Sequence, residues 1–152
     1  MNKFVVRYIK ANKGFSLIEL MIVVLVIGII AALSMPNLAK SKMAAHESSA
    51  ISGMRSLVTA QITYATRSGP GDFAPDLATL QSANLIDSVM GSGTAEAYSY
   101  SLSGSGVQYT IDARPLIYGS SGIRSFFTDE SGAIRYTTAD AAATASDPGL
   151  GQ

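Results

Sequence analysis

Few residues in this chain carry reactive chemistry, and the one whose type and position most need explaining is Glu19. It lies five positions into a run from Phe15 to Met35 that only Ser16, Glu19, Gly28 and Ser34 interrupt with anything but large apolar side chains or alanine. An ionised carboxylate at mid-membrane costs roughly 2.5 to 3.5 kcal/mol on insertion scales. Either Glu19 reaches the interface or takes up a proton, or it awaits a positive partner from another molecule. Elsewhere the prospects for catalysis are thin. With no cysteine, disulfides and thiol metal or redox sites are excluded. The single histidine, His46, leaves no partner for a nucleophilic triad or a paired-histidine metal site, and no phosphate-binding glycine-lysine loop appears. His46 therefore reads as a solvated face residue. The six methionines read as packing. Asp129 and Glu130 with Gly132 form an acidic turn that could take calcium, but the EF-hand spacing is missing, and no cofactor is expected. Tyrosines 98, 100, 109, 118 and 136 with Phe126 and Phe127 could form a conducting stack, yet their alternation points to core packing.

The element that must position Glu19 is the run itself. At 1.5 Å per residue it makes a helix of roughly 30 Å, enough to cross the hydrocarbon core of a bilayer. No basic residue on the same helix is nearer to Glu19 than Lys13. Lys3, Arg7, Lys10 and Lys13 precede the span with no opposing acid, which keeps the amino terminus cytoplasmic by the positive-inside tendency. A cleavable secretory signal, with Ala32 and Ser34 as its small-residue cleavage pattern, is the competing reading. The span is longer than the usual apolar region of about 7 to 15 residues and carries a carboxylate near its start, both of which weigh against that reading.

Gly14 followed by Phe15-Ser16-Leu17-Ile18-Glu19-Leu20, behind a basic leader and ahead of an apolar helix, resembles the class III signal of type IV prepilins and pseudopilins, of the type IVa-like kind. The resemblance covers residues 1 to about 36; beyond them it is one of layout. It implies that a membrane-embedded prepilin peptidase cuts the Gly14–Phe15 bond and that Phe15 becomes the N-methylated first residue. It also implies that Glu19 neutralises the Phe15 ammonium of a neighbouring subunit during assembly. A buried charge pair adds little net stability but selects register well. Many members close a carboxy-terminal loop with a disulfide, which this cysteine-free chain cannot do.

Pro36 ends the run. Its ring opposes the carbonyl of Ala32 and one backbone donor is lost, so a helix break is expected between Gly28 and Pro36. The resemblance implies that this region unwinds when subunits pack. An amphipathic continuation follows, with Leu38, Met43, Ile51, Met54, Leu57, Val58, Ile62 and Ala65 on one face and His46, Glu47, Ser48, Arg55, Ser56, Thr59 and Arg67 on the rest. Ser68-Gly69-Pro70-Gly71 stops the helix, and Asp76 is placed to cap a short helix through Leu77 and Leu80. From Tyr98 the period becomes two. Strands are predicted at Tyr98–Leu102, Val107–Arg114, Ile123–Asp129 and Ala133–Thr137, with turns at Ser103–Gly106 and Glu130–Gly132. The expected fold is α+β: a long amino-terminal helix packed on a four-stranded antiparallel sheet, which is also pilin-like.

The expected organisation is a cleaved leader (1–14), a membrane and filament-core helix (15–35), a globular head (36–137) and a flexible tail (138–152). Without the leader the chain keeps 7 basic and 11 acidic side chains, a balance that argues against specific nucleic-acid binding. The expected function is non-enzymatic: the major structural subunit of a type IV pilus. Its expected partners are further copies of itself through residues 15–60, the prepilin peptidase, an inner-membrane assembly platform, and the membrane before assembly. The expected location is the inner membrane and then an extracellular filament. The alternatives are a pseudopilin of a type II secretion or DNA-uptake system, and a signal-anchored binding domain that never polymerises.

Overall fold

A computed structural model describes residues 14–151, apart from the side chains of 34–36. The basic leader, up to Lys13, lies outside the described residues. The chain divides into two units, Met1–Asn37 and Leu38–Gln152, and helix α1 (Leu17–Arg67) supplies residues to both.

In the first unit, α1 begins directly after Ser16. Its large apolar side chains from Leu17 to Leu33 are 47–75% exposed. This helix is long and apolar enough to cross a membrane by length and composition. The break expected at Gly28 and Pro36 is not a gap in the helix of the single chain, since both residues are helical. A proline inside a helix removes one hydrogen bond and crowds one carbonyl, and here the surrounding residues carry the helix on.

In the second unit, α1 packs its Ala50, Met54, Leu57 and Ala60 into a core with Tyr98, Tyr100, Tyr109, Ile111, Ala113 and Phe126. These helix positions follow one another by four, three and three residues, which keeps them on one face. Small Ala50 and Ala60 are buried, while Leu38 and Ile62, expected on the same stripe, are exposed. The stripe of burial thus follows close approach to the sheet rather than side-chain size.

The sheet has five strands in the order β1 (Thr94–Ala95), β2 (Tyr98–Ser105), β3 (Gln108–Pro115), β4 (Ser125–Asp129) and β5 (Arg135–Thr137), all antiparallel to their neighbours. The expected α+β, helix-on-sheet architecture stands, with one more strand than the four predicted. The extra strand, β1, pairs with β2 across Glu96 and Ala97, both with positive φ (49° and 66°). A two-residue hairpin of this kind normally announces itself with Asn-Gly, and this one does not. The next turn also shifts: Ser105 pairs with Gln108, leaving Gly106 (φ 59°) and Val107 as the turn. Val107 is therefore exposed rather than the first residue of β3, and the core set Tyr109, Ile111 and Ala113 keeps its expected side. The later strands begin later than predicted, at Ser125 and Arg135.

Between α1 and the sheet, α2 (Leu77–Ser82) is capped by Asp76, whose Oδ1 accepts the Thr79 N–H at 2.7 Å. The Thr79 hydroxyl, which donates to the same oxygen, and then that backbone bond hold the Asp76 carboxyl below its usual pKa. A further turn of helix, α3 (Ser88–Gly91), is capped in the same way by Asp87. The tail, expected either to hug the surface or to be mobile, makes backbone hydrogen bonds to the head. Tyr136 N–H donates to Pro148 O at 3.1 Å, Leu150 N–H donates to Ile134 O at 2.7 Å, and Ala143 is buried. Backbone pairing to β5 anchors this stretch despite its lack of apolar bulk.

Candidate functional site: an exposed helix start and an anchored head

Gly14 and Phe15 precede α1 outside any helix or strand, and Phe15 is 80% exposed. A Cβ built on Gly14 would meet nothing, so no part of the described chain shields the Gly14–Phe15 bond. Ser16 stands at the helix start, where Leu20 N–H donates to its carbonyl at 3.2 Å. Glu19 reaches back to accept the Ser16 N–H through Oε2 at 3.3 Å. This is one arm of a capping box, Ser-x-x-Glu, a pattern readable in the sequence. The consequence is directional: Glu19 aims its charge toward the amino-terminal end of the helix, where the unsatisfied N–H groups favour it. Glu19 itself is exposed, and the ion pairs among the described residues, Arg114–Asp140 and Arg124–Glu47, do not include it.

The following two turns present an apolar groove lined by Leu20, Met21, Val24 and Leu25. Gly28 is exposed, and a Cβ there would meet nothing. Among the described residues, every side chain from 14 to 33 is exposed. Of the residues singled out from the sequence, Gly14, Phe15 and Glu19 therefore lie within one short stretch, and Gly28 and Pro36 lie further along the same helix.

Glu47, expected on a solvated face, is buried at 5% exposure. Its carboxylate accepts the Ile123 N–H at 2.9 Å and the Arg124 Nε–H at 2.8 Å. Arg124 also lies over the rings of Phe126 and Tyr136, at 5.6 and 5.5 Å from their centroids. Its carbonyl accepts the Tyr98 hydroxyl at 2.8 Å. Burial first, then the nearby charge of Glu47, raises the Tyr98 phenol far above its usual value, so this hydroxyl stays a donor. Gln61 is likewise fully buried and clasps Ala74, donating to its carbonyl at 2.9 Å and accepting its N–H at 2.8 Å. Neither anchor has a local sequence signal, because their partners are 77 and 13 positions away.

The acidic turn is engaged with its own backbone. Asp129 Oδ1 accepts the Ser131 N–H at 3.0 Å, and the Asp129 carbonyl accepts the Gly132 N–H at 2.9 Å. Among the described residues no three His, Asp or Glu side chains converge to hold a metal. The aromatic contacts among these residues are two separate pairs, Phe73–Tyr109 and Tyr98–Phe126.

Comparison with known proteins bears on the same amino-terminal stretch. The prokaryotic N-terminal methylation motif matches residues 9–35. The type IV major pilin protein PilA of Myxococcus xanthus is 40% identical over 72 residues, which is 47% of this chain and 33% of that protein. The chain thus spans about a third of the length of the curated relative it matches. No solved structure matches it significantly.

Proposed function

Starting from a chain that the methylation motif and the Myxococcus relative support as one of the type IV pilin family, we propose that it is the major structural subunit of a type IV pilus. It enters the inner membrane through α1 with its leader in the cytoplasm. A prepilin peptidase cuts between Gly14 and Phe15 and the new Phe15 amine is methylated. Subunits then pass from lipid into a filament on the cell surface through an inner-membrane assembly platform, joined through residues 15–60.

The mechanism is assembly rather than catalysis. Apolar helices leave lipid for one another, where packing of side chains into grooves such as that of Leu20, Met21, Val24 and Leu25 drives association. Each Glu19 takes the ammonium of a neighbour's Phe15, and the cost of leaving either charge unpaired in an apolar core restricts the stagger between subunits. Loosening between Gly28 and Pro36 lets the helix adapt as it packs. The observation that carries this reading is Glu19 itself, exposed at the start of an uncovered apolar helix and aimed at the amino-terminal end. Glu19→Ala should leave the cleaved subunit in the membrane and abolish sheared surface filaments. A Glu19→Ala strain with normal filaments would refute the role given to the carboxylate. Loss of secreted enzymes, with long surface filaments intact on deleting the whole chain, would instead make it a pseudopilin.

A further inference from the structure

All five lysines of the chain fall between residues 3 and 42: three precede the apolar run, and Lys40 and Lys42 follow it closely. Past Lys42 every cation other than His46 is an arginine. Lysines beside the outer end of a membrane helix work against the positive-inside tendency, so this pair calls for a counter-charge on that side. Lys42 stands seven positions beyond Met35, a rise of about 10 Å along a helix, and headgroup layers extend roughly 5–8 Å past the hydrocarbon. A lysine side chain reaches back over the difference.

Lys42 does not act alone. His46, one helical turn on, shares its face of α1, and both line a cleft of about 360 Å³ with Met43 and with Gly119, Ser120 and Ser121 of the loop between β3 and β4. No acidic side chain lines this cleft. Among the described residues, the Lys42 ammonium, the His46 ring and the Ser120 and Ser121 hydroxyls have no hydrogen-bond or ion-pair partner. Glu47, next in sequence to His46, is already bound by Ile123 and Arg124. The loop satisfies its own backbone. Ser120 and Ser121 N–H groups donate to Ile117 O at 3.1 and 2.8 Å, and Gly119, at φ 77°, donates to Gly122 O at 2.9 Å. Gly122 lies against Tyr98, where a Cβ would strike the phenol oxygen. The loop is therefore held while its two hydroxyls stay free, which leaves little ordering cost to a ligand. An ammonium, an imidazole and two hydroxyls with no acid among them form a donor set suited to phosphate oxygens.

We propose that this cleft binds a phosphate group, and that while the chain is in the membrane the phosphate belongs to a phospholipid headgroup. The inference rests on the reading of α1 as a membrane segment and not on filament formation. Lys42 and His46 supply charge and N–H donors, the two serine hydroxyls take further phosphate oxygens, and Met43 gives the glycerol an apolar wall.

His46 is the single histidine of the chain, so its ring signals in an NMR spectrum report on the cleft directly. The full chain in neutral-detergent micelles, at fixed pH and ionic strength, is titrated with dioleoylphosphatidylglycerol, with inorganic phosphate, and with dioleoylglycerol, which lacks the phosphate. The His46 signals should move to saturation with phosphatidylglycerol and stay in place with dioleoylglycerol. Lys42→Gln, and separately Ser120→Ala with Ser121→Ala, should weaken that binding by about tenfold. Lys40→Gln, outside the cleft, should change it by less than about twofold. An unchanged melting temperature checks that each variant keeps the fold. A response that never saturates, or one that Lys40→Gln weakens as much as Lys42→Gln, would reduce the cleft to general surface charge and overturn the proposal. Saturation by inorganic phosphate at equal or lower concentration would overturn the lipid as its occupant. A chain absent from the membrane fraction of cells would end the membrane reading and the lipid site together, whereas a membrane-embedded chain with an unsaturable response removes the cleft alone.

Discussion

Glu47 accepts two hydrogen bonds while almost fully buried, so removing its carboxylate strands the Ile123 N–H and the Arg124 guanidinium together. Hydrogen bonds to charged groups contribute roughly 1.5–3 kcal/mol each. Glu47→Ala should accordingly lower stability by about 3–5 kcal/mol in thermal or urea unfolding of the full chain in detergent; a change within error would show that the pair is dispensable. Asp112 tests the opposite sign. Burial pushes its carboxyl above the usual range, with Arg114 pulling it back. A carboxyl raised in the folded chain keeps its proton longer there, so folding weakens as pH rises through the carboxylate range. Asp112→Asn should therefore raise the melting temperature at neutral pH and lose that advantage in acid below the ordinary carboxylate value. Glu19 was legible from sequence because its neighbours make it a local outlier. Glu47 was not, because a glutamate on a polar helix face looks solvated until Arg124 arrives from 77 residues away.

Among the elements, the long helix and the alternating strands β2 and β3 were legible because hydrophobic period is a local property. What was missed depends on backbone conformations that residue type disfavours. The β1–β2 turn places Glu96 and Ala97 in the left-handed region, at roughly 1–2 kcal/mol per residue for side chains with a Cβ. Ala97→Gly should relieve part of that and stabilise the chain by about 1 kcal/mol, read as a higher unfolding midpoint with an unchanged denaturant slope. A destabilised variant would show that Ala97 contributes packing that outweighs its backbone strain. The loop after α1 is fixed just as non-locally. Gln61 satisfies both backbone groups of Ala74, and Gln61→Leu, though apolar and similar in size, should cost about 1–3 kcal/mol for each buried group left unpaired. Amide exchange at Ala74 would report the loss directly, and unchanged protection would contradict it.

For the whole molecule, the division of labour follows from where apolar surface is covered. The second unit buries Tyr98, Tyr100, Tyr109, Met54, Leu57, Ile111 and Phe126, while the first leaves its described apolar side chains outward. On the filament reading proposed above, lipid and then further copies of the chain cover these side chains, and Glu19 is the proposed point of exchange between the two environments. The same reading calls for a free amine at Phe15. The most direct test is the amino-terminal residue of the mature protein and its modification, read by mass spectrometry of the subunit from sheared filaments. The account predicts N-methylphenylalanine, from Phe15, as the first residue. A chain still carrying residues 1–14, or one beginning at Met35, would contradict it.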